Sequence, residues 1–432
     1  MGTFFTAAFL LLVFLAVYVL IGYPLVLAGL AARFGKPIHK SGTGGADPLI
    51  RSCSGGGGPP GPPVRLQPKA DEGVGRGRGR PPHSVLESPA SKTVSMLIAV
   101  YNGEAVIRPK LESVAALDYP KDLLEVLVLS DGSTDGTNEI VRGFAGQGME
   151  LIELPRGGKP AALNAGIARS KGEILVLTDA RQTLEADSVS HLVACFADPT
   201  VGVASGDLHV LPGQGDEQGS TSLYWRIERW IRINLGCLDS TFGATGPFYA
   251  IRRELAPAMP PDTLLDDMFL PLHGFFLGFR CVVDEEAVAW EQGFSIKAEF
   301  RRKVRTLAGN YQILRQYPAL LGPGNRMWFH FVSYKVGRLA LPWILLALFG
   351  VSFGLSRPWN FWAVGAQAAF YLLALADLAI PSKTLLKRIS SPARAFVNLM
   401  AAAALAVSVF FVAPQRLWKP TEASAAKDSA RS

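Results

Sequence analysis

Hydrophobic positions along this chain fall into long runs and short runs, divided by polar punctuation. The long runs are 4–31, which has no charged residue, and 339–356, 359–380 and 395–415 near the C-terminus. A helix needs about 20 apolar residues to cross a hydrocarbon core, so these predict one N-terminal and three C-terminal transmembrane helices. The short runs, 93–101, 125–130, 149–154 and 173–178, alternate with helix-like segments near 104–117, 134–146 and 160–170. Strands apolar on both faces, with helices between them, predict an α/β domain with a mainly parallel sheet.

Charge orients this plan. Arg33, Lys36 and Lys40 follow the first long run, and Lys335 and Arg338 precede the second. Lys383, Lys387, Arg388 and Arg394 lie between the last two. The positive-inside rule then expects both termini outside, and residues 33–338 in the cytoplasm of a multi-pass inner-membrane protein. A cleaved signal peptide fits poorly, because the first run lacks a basic n-region and is too long for an h-region. Asp377, inside the third run, reads as an interfacial or partner-facing carboxylate rather than part of an ion pathway.

The net charge of +7 adds little, since basic residues beside spans are expected. Cys53, Cys195, Cys237 and Cys281 form no C-x-x-C pair, which argues against structural zinc and a disulfide framework. Residues 41–92 are rich in Gly, Pro and Ser and include a Gly-Arg repeat within 73–80. Such a segment buries too little apolar area to order itself, so a disordered linker is expected. Without interleaved aromatics for base stacking, the Gly-Arg repeat predicts no specific nucleic-acid partner.

The polar residues collect where the strands end: Asn102 with Glu104, Asp131 with Asp135, and Asp179 with Arg181. The carboxyl edge of an open parallel sheet is where such folds bind ligands. No G-x-G-x-x-G follows any strand, and Arg156-Gly-Gly-Lys159-Pro160 lacks the upstream Gly and the Ser/Thr of a P-loop.

Five ordered motifs then become informative together: Ser95-Met-Leu-Ile-Ala-Val-Tyr-Asn102, Ser130-Asp-Gly-Ser-Thr-Asp135, Gly158-Lys-Pro-Ala-Ala-Leu-Asn-Ala-Gly166, Thr178-Asp-Ala-Arg181 and Leu265-Asp-Asp267. In order and spacing the series resembles family-2 glycosyltransferases of the GT-A fold, and with the flanking spans it is similar to membrane synthases related to cellulose, chitin and hyaluronan synthases. The resemblance covers 93–310 and implies a GT-A catalytic domain there, followed by interfacial helices at 311–338, three spans within 339–415 and a polar tail at 416–432.

Carried over by position, the resemblance implies a nucleotide-sugar donor, UDP-linked, bound by Asn102, Glu104, Asp131, Lys159, Asn164 and Asp179. Asp131 would sit near the base or ribose and Lys159 near the diphosphate. Asp179 would hold Mg²⁺ or Mn²⁺, although the family's second metal-binding Asp is here Arg181. His209 could supply a further ligand, or Arg181 could replace part of the cation's charge. Asp267 would be the general base, and Arg305, with Lys303 in support, would neutralise the departing diphosphate. Gly243, Thr245 and Gly246 would meet the acceptor. Where processive synthases carry Q-x-x-R-W, this chain has Arg302 and Thr306 at the Gln and Trp positions, which bears on processive elongation more than on transfer.

Tyr224, Trp225 and Trp230, spaced among Arg226, Arg229 and Arg232, predict an amphipathic helix that lies at the membrane interface or offers aromatic platforms to an acceptor sugar, the interface being the favoured reading. The expected activity is inverting transfer of a sugar from a nucleotide donor to a polysaccharide or lipid-linked acceptor at the bilayer, with a possible export partner. The alternative class is a catalytically altered GT-A scaffold that binds nucleotide-sugars in a polysaccharide assembly complex.

Overall fold

The structure is a computed structural model, and it describes residues 2–36, 38, 40, 92–211, 218–292, 296–381 and 384–412. The expected linker at 41–92, apart from Lys92, lies outside the described residues, as does the 416–432 tail.

Eight strands form one mixed sheet: β1 (Val94–Val100), β2 (Leu124–Asp131), β3 (Met149–Leu154), β4 (Ile174–Asp179), β5 (Thr183–Leu184), β6 (Val201–Leu211), β7 (Phe248–Arg252) and β8 (Arg280–Gln292). Their order is β3-β2-β1-β4-β7-β6-β8-β5. The first four are parallel neighbours, while β7 runs antiparallel to both β4 and β6.

The apolar runs are unbroken because each strand faces two cores. Met96 and Ile98 of β1 pack with Ile107 and Leu111 on one face, whereas Leu97 packs with Leu129 and Leu163 on the other. Full burial of each such side chain contributes about 1.5–3 kcal/mol. The register aligns Val100 with Ser130 and Ala99 with Asp179, which brings the polar strand ends to one edge. The helix expected over 134–146 is shorter, Thr137–Arg142, and ends at Gly143 before a 3₁₀ turn at Ala145–Gln147.

Among the described residues, four helices are long and apolar enough to cross a membrane: Gly2–Phe34, Trp328–Ser352, Trp359–Ala379 and Lys387–Phe410. Two of them start earlier than the sequence suggests, at Trp328 instead of 339 and at Lys387 instead of 395. The reason is electrostatic. Arg338 pairs with Glu228 at 2.5 Å, and Lys387 and Arg394 pair with the buried Asp377 at 3.1 and 2.9 Å, so these charges enter the helices already partnered. Ser390 and Ser391 also donate to Asp377, which clasps the third long helix to the fourth. The 311–338 stretch expected as interfacial helices is accordingly divided among the end of Ile296–Gln316, a 3₁₀ turn at Pro318–Leu321 and the start of the first long C-terminal helix, Trp328–Ser352.

A third core joins the long helices to the sheet domain. Tyr23, Leu27, Phe331 and Ala402 pack with Leu235, Phe242 and Leu265. Helix Gln218–Leu238 belongs to this junction, leaving Ile227 and Trp230 exposed. The side chain of Tyr224 lies outside the described residues.

Candidate active site

The carboxyl edge of the sheet opens into a cavity of about 370 Å³. Strand ends supply Asn102, Asp131 and Asp179; the start of helix Asp266–Phe276 supplies Asp266 and Asp267. Helix Ile296–Gln316 adds Arg302, Lys303 and Arg305. The cavity thus gathers most of the expected residues from separate stretches of sequence.

At the end of β2, Asp131 is buried and accepts hydrogen bonds from the backbone N–H groups of Gly157 and Gly158 at 2.7 and 3.0 Å. It also pairs with Arg156, whose guanidinium lies 3.6 Å from the ring centroid of Tyr101. Asn102 has a positive φ of 44° and accepts a bond from Thr134 N at 2.9 Å, fixing the β1 end to the turn after β2.

Gly158, with φ of 88°, turns the chain into helix Lys159–Arg169, and this places Lys159 at the edge of β4. Its Nζ lies 2.8 Å from Asp179 Oδ1 and 3.1 Å from Asp266 Oδ1. Burial alone would raise the Asp179 carboxyl, but Lys159 outweighs it and holds the carboxyl below its usual range.

The adjacent carboxylates differ. Asp266 has Lys159, while Asp267 has no cation within ion-pair distance among the described residues. Burial first, and repulsion from Asp266 second, push Asp267 up to about 6, against the opposing charges of Lys159 and Arg232. A Cβ at Gly246 would meet Asp267 Oδ2 at 2.6 Å, so the glycine leaves room for the carboxylate at the cavity wall. Gly243 and Thr245 share that wall, and Thr245 Oγ1 accepts from Arg232 at 2.7 Å.

Cations ring the other side. Arg181 and Arg302 lie 3.7 and 3.0 Å from Glu291, and Arg305 lines the cavity beside Thr306. Among the described residues no three His, Cys, Asp or Glu side chains converge as a metal site. What the donor set offers is the oxygen of Asp179, already facing a cation in Lys159, which fits a hard ion completed by phosphate oxygens.

Three expected residues lie outside the lining. Glu104 instead accepts from Gly136 N at 3.1 Å, and its own N–H donates to Asp135, bracing the turn after β2. Asn164 exchanges two 2.8 Å hydrogen bonds with the backbone of Met259. His209 is held by Asp207 at 2.8 Å and stacks edge-on near Trp290, away from Asp179's cavity.

Sequence reasoning missed several contributors. Arg156 stood in the quoted Gly-rich turn, but nothing in the sequence placed it over Tyr101. Lys110, fully buried and pushed down to about 7 by that burial, donates to Thr178 Oγ1 at 2.7 Å; Thr178 in turn donates to Pro247 O at 2.9 Å. This chain of bonds fixes the strand end bearing Asp179 against the Gly243–Gly246 loop. Glu228, Arg232, Lys335 and Arg338 extend the lining toward the long helices.

Comparison with known proteins agrees with this geometry. Residues 95–258 match the model of glycosyl transferase family 2. The probable glycosyltransferase YdaM of Bacillus subtilis is 29% identical over 248 residues, covering 52% of this chain and 57% of that protein. The beta-monoglucosyldiacylglycerol synthase of Synechocystis sp. is 28% identical over 300 residues, covering 63% and 60%. The chain therefore spans about three fifths of the length of these curated relatives. In fold, the mannosyltransferase PcManGT from Pyrobaculum calidifontis, solved with GDP-Man and Mn²⁺, superposes with a TM-score of 0.63 at 22% identity, over 93% of this chain and 99% of that one. The chain carries a family 2 glycosyltransferase domain of the GT-A fold, attached to one N-terminal and three C-terminal long apolar helices.

Proposed function

We propose that the protein is an inverting glycosyltransferase that moves a sugar from a nucleotide-diphosphate donor, UDP-linked, to a hydroxyl of a polysaccharide or lipid-linked acceptor at the cytosolic face of a cell membrane. The observation that carries this reading is the half-buried Asp267, raised to about 6, in one cavity with Asp131, Lys159, Asp179 and Arg305. The acceptor oxygen bonds to the anomeric carbon while the bond from that carbon to the diphosphate oxygen breaks. Its electron pair leaves with the diphosphate, and the hydroxyl proton passes to Asp267. Arg305 and Lys159 take up the charge that develops on the leaving group.

Asp179 is the residue that would hold Mg²⁺ or Mn²⁺, which when bound supplies Lewis-acid neutralisation of the diphosphate. Support comes from Asp179's place at the strand end, and from a structural relative solved with a nucleotide-sugar and Mn²⁺. The Synechocystis relative's name, a glucosyldiacylglycerol synthase, supports a lipid acceptor.

The test is a nucleotide-sugar panel on detergent-purified protein with Mg²⁺ or Mn²⁺, reading nucleotide release and product length together. Release that requires an acceptor is expected. Nucleotide-sugar binding without release, across the panel and a broad set of acceptors, would instead favour the scaffold.

A further inference from the structure

The cavity does not stop at the acceptor loop. It continues to Tyr334, Lys335 and Arg338 on helix segment Trp328–Ser352 and to Leu399 on Lys387–Phe410, both long enough to span a membrane. A molecule at this end can therefore extend among apolar helices while its head reaches Asp267.

The charge at this end is unbalanced. Glu228 is half-buried, yet Arg338 and Lys335 outweigh the desolvation and hold its carboxyl at about 2. Arg338 and Tyr334 both contact it. Arg232 takes only neutral oxygens among the described residues: Thr245 Oγ1 at 2.7 Å, Ser205 Oγ at 2.9 Å and Gly243 O at 3.4 Å. Lys335 has no carboxylate within ion-pair distance among the described residues, and its Nζ lies 5.1 Å from the Tyr334 ring centroid. A lysine that merely marked the cytosolic flank would extend its ammonium toward lipid headgroups outside the protein; this one lines the cavity. Arg232, Lys335 and Arg338 share two carboxylates there, Glu228 and, at longer range, Asp267, and among the described residues only Arg338 of the three is ion-paired; partly desolvated cations are stabilised by an anion.

Resting on the transferase reading above, we propose that the acceptor is a lipid whose head carries a phosphate, and that Lys335, with Arg232 and Arg338, forms the subsite for that phosphate. The reacting hydroxyl then lies between this subsite and the donor, at Asp267. The donor's own diphosphate is served separately by Lys159 and Arg305. A neutral diacylglycerol or a free glycan would leave Lys335 and Arg232 with no anion in ion-pair contact.

Full-length protein in detergent is tested by native mass spectrometry for retention of phosphatidylglycerol against diacylglycerol. Transfer is measured to four acceptors: those two lipids, a polyprenyl-diphosphate-linked hexose and a free oligosaccharide. The phosphate-bearing lipids should be preferred by about tenfold, the worth of one charge-assisted hydrogen bond. Lys335→Gln should remove that preference and Lys335→Arg restore it, with nucleotide affinity unchanged as evidence of a folded donor site. Equal retention of diacylglycerol, or equal transfer to neutral acceptors, overturns the phosphate subsite and leaves the transferase reading standing. Selective, Lys335-dependent retention of phosphatidylglycerol with transfer to none of the four supports the subsite and counts against the transferase reading.

Discussion

Lys159 Nζ lies 2.8 Å from Asp179 Oδ1. Because the same ammonium reaches Asp266, one side chain at a helix start ties the metal candidate to the carboxylate pair across the cavity. Lys159→Met should weaken nucleotide-sugar binding by ~10–100-fold, the range of a charge-assisted bond to phosphate. Calorimetric titration with the donor checks this; unchanged affinity would place the diphosphate elsewhere.

If Asp179 and phosphate oxygens hold the cation, EDTA should abolish turnover, and Mg²⁺ or Mn²⁺ should restore it. Full activity in EDTA would mean that the guanidinium groups of Arg181 and Arg302, which meet at Glu291, carry the neutralisation with Arg305. Arg181→Asp should tighten the metal requirement in the first case and abolish activity in the second.

Burial and Asp266 raise Asp267 from its ordinary 3.8 to about 6, so kcat/KM should rise with pH through that value and fall below it. Asp266→Asn removes the like charge and should move the midpoint down by ~1 pH unit. For stability the sign is the reverse of a salt-bridged carboxylate. The folded state holds this proton more tightly than the unfolded one, so the cost is absent below 3.8 and develops as pH rises to about 6. Asp267→Asn should therefore melt higher than wild type at pH 8, by a few degrees for each ~1 kcal/mol relieved.

These tests depend on residues that differ in how legible they are in the sequence. Asp131 and Asp179 stand out because apolar runs with two buried faces end in polar residues at an edge, and the run itself marks that edge; Asp267, in the first turn of a helix, is legible only through the family resemblance. Glu104 reads as a ligand for the same strand-end reason and Asn164 through the resemblance, yet they serve the turn at Gly136 and the backbone of Met259. Only three-dimensional contacts separate an amide that binds substrate from one that clasps a loop. Lys335 and Arg338 show the opposite case. By composition they mark a cytosolic flank, and only the rotation of their helix against Gln218–Leu238 turns them into the cavity.

The clustered basic residues at 33–40 and 383–394 predict an orientation with 93–310 on the cytosolic side. Cysteines introduced beside Met1 and Ser432 should react with an impermeant reagent from outside, and none within 93–310 should. External labelling inside 93–310 would contradict a cytosolic donor site.

Asp131 holds Gly157, Gly158 and Arg156 together, so its removal should loosen the turn that leads into Lys159. Asp131→Ala is expected to weaken donor binding by at least ~10-fold, with a smaller effect on turnover at saturating donor. Equal donor affinity in the variant would separate this carboxylate from the nucleotide pocket.

The most direct measurement compares Asp267→Asn with wild type in sugar transfer and in donor affinity. The amide keeps the shape of the side chain but cannot take the acceptor's proton, so transfer should fall by ~10²–10⁴-fold, the usual worth of a positioned base, while donor affinity stays nearly constant. Near-normal transfer, or a loss of donor binding as large as that of Asp131→Ala, would contradict Asp267 as the base.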